Sequence, residues 1–206
     1  MISLEDLERD ALTELVNIGI SRAAVSLRKM VGKQIVLSVP AVEVMSSAEA
    51  TKAVWQREVG PITTVVETIS GPFSGRALLV FPEASGKSLA RILAGSALSD
   101  DEVAAFEDEA LSETGNIVLN ACLGTIGNML QRRIHLSPPT IVRGQEQPFF
   151  DDLAPSPDAV VIVLYINFGV EGFHISGYIA LVMDMPSLAI LKQIIGRFIE
   201  RAIGET

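Results

Sequence analysis

Three polar side chains recur at helical spacing near the start of the sequence. Asp10, Glu14 and Asn17 stand at i, i+4 and i+7, which places them on one face of a helix. A carboxylate can pair with a cation, and a carboxamide can both donate and accept hydrogen bonds. This first motif copy would therefore present two anionic groups and one neutral hydrogen-bonding group along a single stripe.

A second motif copy lies 99 residues further along the chain, at Glu109, Glu113 and Asn116. In each copy a proline follows the asparagine by 23 positions, at Pro40 and Pro139. A single Glu-x-x-Asn stripe is usually no more than a solvated helix face. The repetition of the whole pattern, with a proline in register, favours a functional interpretation.

The elements that would position the first copy begin with a helix. It is predicted to start behind an acidic capping pattern, Ser3 with Asp6, and to end at Gly32. Three strand-like segments and a short helix follow, at residues 34–46, 53–70, 76–81 and 85–93. Residues 46–49 have the composition of a turn, and Pro40 inside the first strand indicates an edge strand or a bulge.

The second half repeats this layout. Ser99 and Glu102 form a capping-box pattern before a helix over residues 102–131, with a break predicted near Glu107. A polar stretch over 144–158 precedes two strands, at 159–168 and 173–184, and a helix at 187–203. The chain is thus predicted to be one domain, 1–206, made of two repeats, 1–98 and 99–206. We expect an α+β fold with pseudo-two-fold duplication, in which two long motif-bearing helices pack beside a shared, largely antiparallel sheet.

Composition narrows the class of protein. The 206 residues carry a net charge of −9, which argues against nucleic acid or an anionic membrane as the main partner. The most apolar run, residues 159–166, is far shorter than the roughly 20 residues that span a bilayer. A single cysteine, Cys122, excludes an internal disulfide framework and fits a reducing compartment. These features predict a cytoplasmic protein.

The doubled pattern resembles the active-site signature of the CheC/CheX/FliY family of chemotaxis phosphatases. In that signature an acidic or hydroxyl residue, a glutamate, an asparagine and a distant proline have this spacing. Two copies in one chain are similar to the CheC-like members, and the resemblance extends over the whole chain. Glu109 departs from it, because the family usually has Asp or Ser there. The resemblance implies a hydrolase that acts on the phosphoaspartate of a CheY-like response regulator in two-component chemotaxis signalling.

The resemblance also implies roles for individual residues. Asn17 and Asn116 would orient the attacking water, since a neutral carboxamide can approach a phosphoryl group without charge repulsion. Glu14 and Glu113 would pair with the lysine of the regulator. Supporting roles would fall to Asp10, Glu109, Pro40 and Pro139. Because the regulator would supply the phosphoryl group and Mg²⁺, the chain is expected to bind no cofactor or metal of its own.

Two alternatives remain open at this point. The chain could be a non-catalytic adaptor that binds a phosphorylated regulator, the receptor deamidase CheD, or both, with coupled affinities. It could also be a component of the flagellar switch, which we rank lower. The presence of Glu and Asn in both copies favours catalysis. The duplication is compatible with a monomer, because each half would supply the packing partner of the other.

Overall fold

Two long helices and one extended sheet form the frame of the molecule. The computed structural model describes residues 4–39, 41–57, 60–95, 98–129, 131–144, 149–170 and 173–204. The first half contains α1 (Asp6–Val31), β1 (Ile35–Ser38), β2 (Val42–Ser46), α2 (Ser47–Arg57), β3 (Ile62–Ser70), β4 (Gly75–Pro82) and α3 (Glu83–Ala94). The second half contains α4 (Asp100–Met129), β5 (His135–Leu136), β6 (Thr140–Gly144), α5 (Phe149–Leu153), β7 (Val160–Val170), β8 (Phe173–Met183) and α6 (Met185–Gly204).

All eight strands belong to one sheet with the order β1-β7-β8-β4-β3-β5. In addition, β2 pairs with β7 and β6 pairs with β3. Every pairing among the described strands is antiparallel. The α+β class and the single sheet shared by both halves are therefore confirmed, whereas the division into repeats at residues 98 and 99 stays a prediction.

The sheet is covered on both faces. One face packs against the four longer helices, α1, α3, α4 and α6, in a core that includes Leu15, Leu119 and Leu188. The other face packs against the short helices α2 and α5 through Val54 and Phe150. The strands β3 and β7 are accordingly buried on both faces along most of their length. None of the described helices combines the length and apolar character needed to cross a membrane.

Several predicted boundaries are wrong. The segment predicted as one strand over 34–46 forms β1 and β2, and Pro40 between them lies outside the described residues. The predicted turn at 46–49 is the start of α2, and α5 lies in the polar stretch over 144–158. Helix α4 continues through Glu107 without the predicted break. Lastly, Glu5 caps α1, in a capping box with Glu8, and the predicted cap Ser3 lies outside the described residues.

The predicted cap of α4 is confirmed. The Glu102 carboxylate accepts hydrogen bonds from the Ser99 backbone N–H at 2.8 Å and from its hydroxyl at 2.7 Å. The Glu102 backbone N–H donates in turn to the Ser99 hydroxyl oxygen at 3.4 Å. Reciprocal capping of this kind satisfies backbone donors that a helix start leaves unpaired, so it fixes where the second motif helix begins.

The two motif helices contact each other at a glycine. A Cβ atom added at Gly19 of α1 would lie 2.7 Å from the Cα atom of Cys122 in α4, so no side chain fits between the backbones there. Burial raises the pKa of the Cys122 thiol to about 12, which makes it a packing residue and not a reactive one.

Helix α4 also approaches the sheet closely, directly beneath its motif. Gly115 lies between Glu113 and Asn116 in sequence, and a Cβ atom added there would come within 2.4 Å of the Val65 Cγ1 atom in β3. Absence of a side chain at this position lets the helix backbone rest on Val65. The height of the second motif copy above the sheet is therefore set by Gly115.

Candidate active site

Both motif copies lie along solvent-facing sides of their helices. In α1, Asp10 and Glu14 are exposed and Asn17 is half-buried; Glu109, Glu113 and Asn116 in α4 have the same respective exposures. Apolar neighbours such as Leu12 and Leu111 face the core instead. The structure thus brings the three members of each copy together on one stripe, as helical spacing requires.

The carboxamide of Asn17 is hydrogen-bonded through both of its polar atoms to the backbone of the segment that follows β1. Its Nδ2 atom donates to the Val39 carbonyl oxygen at 3.1 Å, and its Oδ1 atom accepts from the Val39 backbone N–H at 2.9 Å. Val39 directly precedes Pro40, whose own predicted role lies outside the described residues. Asn17 therefore ties the segment after β1 to helix α1.

Asn116 makes a different contact. Its Oδ1 atom accepts from the Asn120 side-chain Nδ2 at 2.7 Å, and the same Nδ2 donates to the Asn116 backbone carbonyl at 2.8 Å. The residue that corresponds to Val39, 22 positions after the asparagine, is Pro138. Proline has no backbone N–H, so the two-way contact seen at Asn17 cannot form in the second copy.

The second motif copy opens onto a cavity of about 460 Å³, which Pro139 also lines. Three large apolar side chains also line the cavity and are here called the apolar rim: Met30, Leu93 and Phe106. The Met30 residue is 41% exposed. A concave surface that joins carboxylates, a carboxamide and apolar side chains is suited to docking a partner with a basic group at its centre.

The apolar rim was not identified from the sequence, although a signal was present. Met30 and Met129 are separated by the same 99 residues as the motif copies, and both are about 40% exposed. Exposed methionines adapt well to the surface of a binding partner. A search for every residue type repeated at this offset would have drawn attention to them.

A buried carboxyl group beneath the motif helices was also not identified from the sequence. Glu67 in β3 is completely buried, and alternation along the strand turns it towards the same helix layer as Val65 and Ile69. Neither carboxylate oxygen has a hydrogen-bond partner in the part of the chain that the structure describes. Burial raises the pKa of Glu67 to about 7. A glutamate within an otherwise β-branched segment was the available signal.

The buried Glu67 predicts a pH-dependent stability. Between about pH 4.5 and 7 the unfolded chain ionises at this position while the folded chain keeps its proton, so the free energy of unfolding falls as pH rises through that window. Between pH 4 and pH 8 we expect the free energy of unfolding of the wild type to fall by about 2 kcal/mol relative to that of Glu67→Gln, which cannot ionise. Denaturant unfolding of both proteins at pH 4 and pH 8 measures this, with the exposed Glu200→Gln as control. If wild type and Glu67→Gln differ in free energy of unfolding by the same amount at both pH values, the prediction is contradicted.

No group of three or more His, Cys, Asp or Glu side chains within the described ranges is arranged to hold a metal ion. The two exposed acids of the second motif copy, Glu109 and Glu113, are positioned to attract a basic side chain.

Comparison with known proteins places the first motif copy in a family context. Residues 7–44 match the model of the CheC-like family. The flagellar motor switch phosphatase FliY of Bacillus subtilis strain 168 is 22% identical over 140 residues, which are 67% of this chain and 36% of that protein. The chain thus spans about a third of the length of this curated relative. The predicted resemblance to the CheC/CheX/FliY family is confirmed.

Solved structures agree with this family in fold. Thermotoga maritima FliY superposes with a TM-score of 0.75 at 21% identity, covering 96% of this chain and all of that chain. CheX in the CheX–CheY–BeF₃–Mg²⁺ complex of Borrelia burgdorferi superposes with a TM-score of 0.51 at 14% identity, covering 84% of this chain and 99% of that chain. The helices and antiparallel sheet described above are therefore those of the FliY and CheX fold.

Proposed function

We propose that this chain is a phosphatase that accelerates hydrolysis of the phosphoaspartate of a CheY-like response regulator. The observation that supports this best is the cavity on α4, where the second motif copy and Pro139 meet at the surface. The relatives support it as well, since one is named a phosphatase and another was solved in complex with CheY. The acidic charge and single cysteine of the chain fit a cytoplasmic site of action.

Hydrolysis would form a bond between phosphorus and the oxygen of a water, and it would break the bond from phosphorus to the aspartate oxygen. The regulator would provide the Mg²⁺ ion and the lysine that neutralise charge. Asn116 would orient the water. Its carbonyl oxygen has two lone pairs, so one can accept from Asn120 while the other accepts from the water.

Glu113 lies one helical turn from Asn116 and would pair with the regulator's lysine, which fixes the register of docking. Glu109 would strengthen the negative field from the outer end of the stripe. The apolar rim would bury against the regulator and exclude solvent from the pair. Pro139, at the cavity wall, would shape the backbone beside α4 and make no contact with the phosphoryl group.

Asn116→Ala provides the direct test. We expect the wild type to shorten the lifetime of a phosphorylated CheY-type regulator in Mg²⁺ and Asn116→Ala to lose about 100-fold of that acceleration, the cost of a misplaced water. Asn128→Ala, an exposed asparagine on the same helix, is the matched control and should behave as wild type.

Failure of the wild type to change the decay would overturn the proposal. If the wild type still bound the phosphorylated regulator, the adaptor alternative, with or without CheD, would take its place. If it bound no regulator in either phosphorylation state, a role as a switch component would be favoured, in line with the motor-switch name of the Bacillus subtilis relative.

A further inference from the structure

We infer that the two motif copies are not equivalent: Asn17 is a clamp on the backbone, Asn116 is the presented catalytic carboxamide, and Pro138 is the positioning residue that keeps them different. This inference rests on the proposed function for its catalytic half only. Its structural half concerns hydrogen bonds within the chain.

The first copy is closed by its own backbone. The Asn17 carboxamide uses its donor and its acceptor on Val39, at 3.1 and 2.9 Å, in a half-buried position next to the core. Val39 is itself buried. A carboxamide held through both polar atoms by one residue is fixed in orientation, so turning it towards a bound regulator would break both bonds and leave the Val39 N–H and C=O without these partners, which is costly in a buried setting.

The second copy cannot close in this way. Pro138 follows Asn116 by 22 positions, as Val39 follows Asn17, and it has no N–H to offer to the Asn116 carbonyl. Among the described residues, Asn116 Nδ2 has no acceptor within hydrogen-bond distance. The carboxamide thus keeps a free donor at the cavity on α4.

A second sequence difference acts in the same direction. The residue one turn after the motif asparagine is Ser21 in the first copy and Asn120 in the second. The Ser21 hydroxyl donates only to the Asn17 backbone carbonyl, at 2.8 Å. Asn120 instead donates to the Asn116 backbone and to its side-chain oxygen. Asn120 therefore holds the carboxamide on the helix surface, where Ser21 would be too short to do so.

The two differences together predict one dominant site per chain, on α4. The first copy would serve the fold by fastening the β1–β2 connection to α1. A change that supplies the missing N–H in the second copy should turn Asn116 into a second clamp and silence it.

The test compares Asn17→Ala, Asn116→Ala and Pro138→Val in the full chain, with three measurements on each. These are acceleration of phosphoregulator decay, the thermal unfolding midpoint, and hydrogen exchange at the Val39 N–H. Asn17→Ala should lower the midpoint and speed Val39 exchange while losing less than twofold in rate. Asn116→Ala should lose about 100-fold in rate with the midpoint and Val39 exchange unchanged. Pro138→Val should lose at least tenfold in rate because it adds the donor that Asn116 lacks, and its midpoint should fall less than that of Asn17→Ala, since the only stability cost expected is the greater freedom of the unfolded chain without the proline.

Equal rate losses for Asn17→Ala and Asn116→Ala would overturn the inference, as would unchanged Val39 exchange in Asn17→Ala. Full activity of Pro138→Val would overturn the part played by Pro138. A midpoint as low as that of Asn17→Ala would show that the valine does not fit and would also count against it. If the wild type does not accelerate decay, the proposed function fails. The role of Asn17 as a clamp on Val39 is then tested by Val39 exchange and the unfolding midpoint alone.

Discussion

Glu113→Lys is expected to weaken productive engagement of the phosphorylated regulator about a thousand-fold. The substitution reverses the charge at the position proposed to pair with the regulator's lysine, so an attraction becomes a repulsion in a contact that excludes water. Charge pairs of this kind contribute about 2–5 kcal/mol when their coupling is broken. The loss should fall on regulator affinity and KM more than on kcat, because the role proposed for Glu113 is to dock the partner, whereas that proposed for Asn116 is to orient the water.

Regulator titration and decay kinetics at two salt concentrations measure this effect. Asp101→Lys is the matched control, since it makes the same change in charge at an exposed position near the start of the same helix. Wild-type affinity should fall as salt rises, and that of Glu113→Lys should not. A similar loss in Asp101→Lys would show that only the overall field matters and would contradict a specific pair at Glu113.

Gly115→Ala is expected to destabilise the fold by about 2–3 kcal/mol. Its new methyl group would lie within 2.4 Å of the Val65 Cγ1 atom, so α4 must lift from the sheet or Val65 must leave its preferred rotamer. Lifting α4 would displace Glu113 and Asn116 together, and activity should fall with stability. Equilibrium denaturation gives the free energy of unfolding.

Gly124→Ala provides the control for Gly115→Ala. It lies in the same helix, and a Cβ atom there meets nothing within 4 Å, so alanine should be neutral or stabilise by up to about 1 kcal/mol. In the double variant Val65→Ala/Gly115→Ala the removed methyl groups should make room for the added one, giving a favourable coupling energy in a double-mutant cycle. If Gly115→Ala and Gly124→Ala had the same free energy of unfolding, the close approach of helix and sheet at Gly115 would be contradicted.

The two motif helices could be predicted from sequence because their signals are local. Helical spacing fixes which side chains share a face, and Ser99 with Glu102 marks the start of α4 independently of the rest of the fold. The shared antiparallel sheet followed from the duplicated order of elements. The start of α2 was misread for an instructive reason. Ser46 and Glu49 form a capping box, with hydrogen bonds of 2.9 and 2.8 Å to the Glu49 carboxylate, and the same residue types are common in turns.

Tertiary contacts decided what the sequence could not. Helix α5 has only five residues, too few for any periodic signal, and it is held by Phe149 packing on Trp55 of α2 at 5.8 Å between ring centroids. The partner of Asn17 likewise depends on a backbone 22 residues away. The sequence shows that Val39 and Pro138 differ between the copies, but only the fold shows that Val39 faces the Asn17 carboxamide.

The strand order has a consequence for how the chain is made. Among the strands that the structure describes, β1 and β2 pair with β7 alone, so that Ile35 lies opposite Val170. At a ribosomal rate of about 5–20 residues per second, the first two strands wait on the order of ten seconds before their partner has been synthesised. The β3–β4 hairpin can close in the meantime, but its outer edge must wait for β5 and β6. Each half is thus synthesised with apolar strand edges that pair with strands of the other half. Until synthesis is nearly finished, these unpaired edges can bind chaperones or other nascent chains.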